Sequence, residues 1–258
     1  MTEISKYTTS TSAAASDVSV TTVSLKAFYT QALDSPAGTT ATVSTLAQQI
    51  SDAASRAAAR DAKLGWNELA SAAQTSVDRI VGSTYQSNQA RNDAEVPGTD
   101  DPAARARAKQ ATDFLHNKAA NPFAGMPREQ LALIAYDEGG PFTVNERAAA
   151  WSEASNQESA WRKQIDSKSM ESFHRTGNSN AQGVGRELLD HYKSLSPIER
   201  AQYPRSYEVQ LQVMAESSSR YSKSPQLDAL NFLAQLSKWA KAKEADGFSS
   251  EGLCCVKC

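Results

Sequence analysis

Thr143-Val-Asn-Glu146, continued by Arg147-Ala-Ala-Ala-Trp151 and later by Trp161 and Ile165, is the stretch that decides the fold. A threonine hydroxyl and a glutamate carboxylate three residues apart each satisfy a backbone N–H that a helix start leaves without an intrahelical partner. Such a capping box marks a helix N-terminus. The helix it opens carries Trp151, Ala154, Trp161 and Ile165 and is expected to reach toward Phe173, where Gly177 can end it. Immediately upstream, Gly139-Gly140-Pro141 closes a helix that Pro127 opens and that places Leu131, Ile134 and Ala135 on its apolar side. The pattern on both sides of Thr143 is therefore helical.

The same signals recur outward. Asp101-Pro102 supplies an N-cap and a proline at the first helical position, which predicts a helix to about His116. Its Arg105, Arg107 and Lys109 read as a solvated face. Trp66, Leu69, Ala73, Val77, Ile80 and Val81 form one apolar stripe, and Val43, Leu46, Ile50, Ala54 and Ala57 form another. Segments 40–62 and 66–88 are thus expected to make a helical hairpin, with pairing to a partner protein as the alternative, and are preceded by a first helix bearing Val23, Phe28 and Leu33. Downstream, Asn178 to Gly185 reads as a polar loop, and Leu188, Leu189, Tyr192 and Leu195 mark the helix after it. Ser196-Pro197-Ile198-Glu199 is a second capping box. Tyr207, Val209, Leu211 and Val213 alternate as a strand would, yet no other segment offers a strand to pair with, so a helix facing the core through Leu211 and Met214 is the expectation. Ser224-Pro225 opens a last helix with Leu227, Leu230, Leu233, Leu236 and Trp239.

The chain as a whole is expected to be all-α: a disordered Ser/Thr-rich arm over 1–22, a helical hairpin region over 23–94, a linker at 95–101, a multi-helix domain over 102–246 and a flexible cysteine-containing tail over 247–258. A net charge of -2 offers no global field to draw in nucleic acid, and none is expected as a partner. No apolar run approaches the roughly 18 residues of a membrane span. Met1 to Thr22 lacks the basic and apolar regions of a cleavable signal peptide, so the expected location is the cytoplasm of the producing cell, with export by a signal-peptide-independent route as a further expectation. All three cysteines fall in the last five residues, leaving the helical body without a disulfide framework.

Several constellations bear on chemistry. Ala135 to Glu146 is similar to an EF-hand loop: Asp137 stands at the third position, and Gly140, Phe142 and Glu146 stand for the turn glycine, the hydrophobe and the closing acid. Ala135 and Gly139 occupy positions where ligands belong. The loop is therefore read as a joint between helices, and no metal or other cofactor is expected. From Asp137 to Trp151 the segment also resembles one in uncharacterised helical proteins of pseudomonads and related bacteria, over a part running from Pro127 to about Tyr221; that resemblance implies a bacterial source and brings no activity with it. Gln157-Glu158-Ser159-Ala160-Trp161 resembles the start of the lytic transglycosylase motif, which would make Glu158 a general acid and base on a glycan. The downstream part of that motif is absent.

Gly183-Val184-Gly185 ahead of a helix is a weak phosphate-loop pattern without its strand or its Lys-Ser/Thr pair, and reads as a flexible loop. His116, His174 and His191 have no cysteine in the helical body to serve and read as surface or capping residues. Adjacent Cys254 and Cys255, the latter four residues from the end, are candidates for lipidation and peripheral membrane association. The functional expectation is a non-enzymatic helical interaction protein of bacterial origin, an exported effector in one form, with a protein partner. Its alternative is a glycan-cleaving enzyme of lytic transglycosylase type that uses Glu158.

Overall fold

A computed structural model describes residues 45–177 and 180–216. The expected arm, the first helix, the helix after Ser224 and the tail with Cys254 and Cys255 lie outside them. Among the described residues every regular element is a helix: α1 (Thr45–Lys63), α2 (Trp66–Val81), α3 (Ser83–Ser87), α4 (Gln89–Asp93), α5 (Pro102–Leu115), α6 (Arg128–Ala135), α7 (Val144–Thr176), α8 (Ala181–Ser194), α9 (Pro197–Arg200) and α10 (Tyr207–Glu216). None of these is long and apolar enough to cross a membrane.

The expected starts and stops form as local chemistry dictates. Asp101 accepts from Ala103 N–H at 3.0 Å to cap α5. Thr143 Oγ1 accepts from Glu146 N–H at 3.2 Å while Glu146 Oε2 accepts from Thr143 N–H at 2.9 Å, which completes the capping box of α7. That helix ends at Gly177, whose φ of 70° is left-handed, and its 33 residues span about 50 Å. The strand-like alternation after Tyr207 resolves into α10, with Leu211 fully buried and Met214 packed beside it.

The structure departs from expectation at the polar loop. Residues 181–185 do not form a loop: α8 begins at Ala181, so Gly183, Val184 and Gly185 all lie within it. Gly185 is there because α10 passes close by, and a Cβ at this position would sit 2.7 Å from Ala215 N. The polar stretch after Val81 also holds more helix than its composition suggests. Asp78 bonds Ser83, and Thr84 through both its backbone and its hydroxyl, across the break at Gly82, so the chain restarts as α3.

Two main cores result. The larger gathers Ile50 and Ala53 of α1, Leu69 and Ala73 of α2, Ala111 of α5, Leu131 and Ile134 of α6, and Ala149 and Ala150 of α7. From Leu131 to Ala135 every residue of α6 is buried, as befits a helix packed on all sides. Alanines at 104, 108 and 111 give α5 a flat stripe that lets it lie close on the start of α7. The second core joins Ile165 of α7 to Val184, Leu188 and Tyr192 of α8 and to Tyr207 and Leu211 of α10. The long α7 runs through both, and Trp66 packs against both.

Candidate functional site

Glu158 sits on α7 where the two cores meet. Its helix brings Trp161 and Arg162 onto the same face, three and four residues on. Arg162 Nε donates to Glu158 Oε1 at 2.8 Å, His191 Nε2 from α8 lies 2.8 Å from Oε2, and Arg128 Nη1 from the start of α6 lies 3.3 Å from Oε2. The His191 ring stacks on the Trp161 indole at 3.7 Å. Arg128 also donates to Ala154 O and, at 3.0 Å, to Glu199 Oε1 of α9. Glu199 in turn accepts from the N–H and hydroxyl of Ser196, which is the second capping box in place.

Burial by itself would raise the Glu158 pKa. The hydrogen bond and charge of His191, with the charges of Arg128 and Arg162, outweigh burial and bring it down to about 2. A carboxylate so held is ionised at neutral pH and has no proton to give to a leaving group, whereas a glycosidic general acid relies on a raised pKa. Burial pushes Tyr203 up and Tyr207 up to about 12, so both keep their phenolic protons beside this cluster. Tyr192, Tyr203 and Tyr207 pack ring against ring at 4.7 to 5.6 Å. The geometry makes Glu158 the hub of an ionic clamp on α6, α7 and α8.

The EF-hand-like loop has its acids turned to other partners. Asp137 receives both Nε and Nη2 of Arg56 at 2.7 Å. Glu146, fully buried, receives Arg107 Nε at 2.7 Å, and the Arg107 guanidinium lies 5.5 Å over the Phe142 ring. Gly140 leaves room for the Asp137 carboxylate, which a Cβ there would overlap. Arg107 thus faces inward instead of lying on a solvated face, while Arg105 and Lys109 stay outside and pair with Asp100 and Asp113. Beside Glu146, the buried Asn145 side chain donates to Asp93 and Thr112 at 3.0 Å and accepts from Tyr85 OH at 3.0 Å.

The histidines divide. His116 bonds Asp93 at 2.8 Å at the end of α5, His174 is exposed near the end of α7 with its ring against Phe173, and His191 is drawn into the clamp, contrary to a surface reading. Of the clamp, the sequence singles out Glu158, reads Glu199 only as a capping residue, and misses Arg128 and Arg162, which carry no motif; the pairing of Glu158 with Arg162 at i, i+4 was the one available signal. On the outer surface, Met170 and Phe173 of α7 and Val209 and Val213 of α10 are large apolar residues left exposed, each pair one helical turn apart.

No protein-family model, no curated protein and no solved structure matches the chain.

Proposed function

We propose that this chain is a non-enzymatic helical interaction protein of bacterial origin, which acts as an exported effector. The observation that carries the reading is the pair of exposed apolar turns on the second core, Val209 with Val213 and Met170 with Phe173, on helices whose opposite sides are already buried. Apolar anchors at i, i+3 or i, i+4 are what a helix offers to a partner's groove or to a partner helix. The environment of Glu158 supports the same reading, because its charge is committed to Arg128, Arg162 and His191. Bacterial origin rests on the resemblance of Asp137–Trp151 to helical proteins of pseudomonads.

Site-specific photocrosslinking from position 213 in cells tests the interaction. A discrete adduct that disappears on Val209→Asp supports the reading, and uniform absence of adducts from positions 170, 173, 209 and 213 overturns it. Export predicts that a reporter fused behind residues 1–35 leaves a bacterium equipped with a secretion apparatus. As part of the same proposal, Cys254 and Cys255 attach the protein to membranes inside a host cell; replacing both by serine should release it to the soluble fraction.

A further inference from the structure

A cavity of about 310 Å³ lies between α1, α2, α6 and α9, within the range of small-molecule sites. Its origin is in the packing. Although only Leu64 and Gly65 join them, α1 packs chiefly on α6, and α2 on α3, α7 and α9. The faces they turn toward each other carry short side chains, Ala53 and Ala57 on one and Ala72 and Ser76 on the other, which leave the space between them open. Leu133 and Ile198 complete a mainly apolar wall.

The polar part of the lining is one-sided in what it has left to offer. Arg56 and Arg60, one turn apart on α1, both line the cavity and remain part exposed. Arg56 spends Nε and Nη2 on Asp137; Arg60 spends Nε on Asp61 and Nη1 on Tyr136 O. Of five N–H groups on each guanidinium, these bonds take two and leave three. The carboxylates in the lining are already answered, Asp137 by Arg56 and Glu138 by Arg79 at 3.0 Å and Arg147 at 3.6 Å. An apolar chamber with spare guanidinium N–H groups suits a ligand with an apolar body and an anionic head.

We propose that this cavity binds a small carboxylate-headed apolar molecule, its chain among the alanines and its carboxylate across Arg56 and Arg60. This is a second binding capacity, separate from the apolar turns of α7 and α10. Calorimetric titration of the full chain with octanoate, octanol and octylamine tests it. Octanoate should bind and raise the melting temperature, octanol should bind at least about tenfold more weakly, a difference of 1.4 kcal/mol, and octylamine should not bind. Ala72→Leu fills the chamber without touching a charge and should abolish octanoate binding while leaving helicity unchanged; Ala57→Val serves where that variant does not fold. Val209→Asp should leave octanoate binding intact. The proposal is overturned by no octanoate binding, by octanol or octylamine binding as tightly as octanoate, or by full binding in the filled variants.

Discussion

Replacing Glu158 by glutamine keeps the shape of the side chain and removes the one charge that His191, Arg128 and Arg162 all face. Arg128 would retain the Glu199 charge, but Arg162 and His191 would be left facing an uncharged amide, a phenol and an indole. Removing one partner of a buried ion pair leaves an uncompensated charge, which costs about 3 kcal/mol or more. Glu158→Gln is therefore expected to lower the urea midpoint by that equivalent, with the m-value unchanged. Neither form should release glycan fragments from peptidoglycan, and release by the unsubstituted protein alone would restore the enzymatic reading. Gly185 makes a second test at this scale. An alanine there meets backbone atoms of α10, Ala215 N at 2.7 Å and the Met214 carbonyl carbon at 2.8 Å, which cannot swing aside as a side chain would. Gly185→Ala should destabilise by roughly 1–3 kcal/mol despite alanine's better helix propensity, as read from the same urea midpoint.

Among the elements, α7 depends most on a single local device. Thr143 and Glu146 are both buried, and Glu146 serves the cap, the Thr143 hydroxyl and Arg107 together. Thr143→Ala removes the acceptor for Glu146 N–H and should cost about 1–2 kcal/mol, with loss of hydrogen-exchange protection in the first turn of α7. This cap was legible in the sequence because its physics closes within four residues, and the same is true of Asp101-Pro102, Ser196-Pro197 and Gly177. The apolar stripes of α1 and α2 were legible as periodicity, whereas α10, whose apolar residues alternate as in a strand, was legible only because no other segment offers a strand to pair with. The long-range ion pairs were not: Arg107 meets Glu146 across 39 residues and Arg56 meets Asp137 across 81, so nothing in the local spacing distinguishes them from solvated charges. For the same reason α8 could be recognised from Leu188 and Tyr192 while its first turn could not. Gly183 and Gly185 are poor helix formers on their own, and it is the passage of α10 that makes Gly185 fit.

Across the whole molecule, the two cores are held to each other by α7, by Trp66 and by the ionic clamp at Glu158. The clamp gives that joint a dependence on acidity whose sign can be worked out. Glu158 has a folded pKa of about 2 against an ordinary 4.5, so the folded state binds its proton less readily than the unfolded chain does. The stability this contributes is fully present above the unfolded value, fades as pH falls below about 4.5, and is gone once pH passes below the folded value of about 2. Its size is at most about 3 to 4 kcal/mol, at about 1.36 kcal/mol per pKa unit. Urea unfolding followed by tryptophan fluorescence at steps from about pH 6 down to about pH 3 should show the midpoint falling through the lower half of that range. In Glu158→Gln the fall should be shallower, because the group that titrates is gone, and the remaining slope then belongs to the other carboxylates. Equal slopes in the two proteins would show that the joint between the cores does not draw on the Glu158 charge.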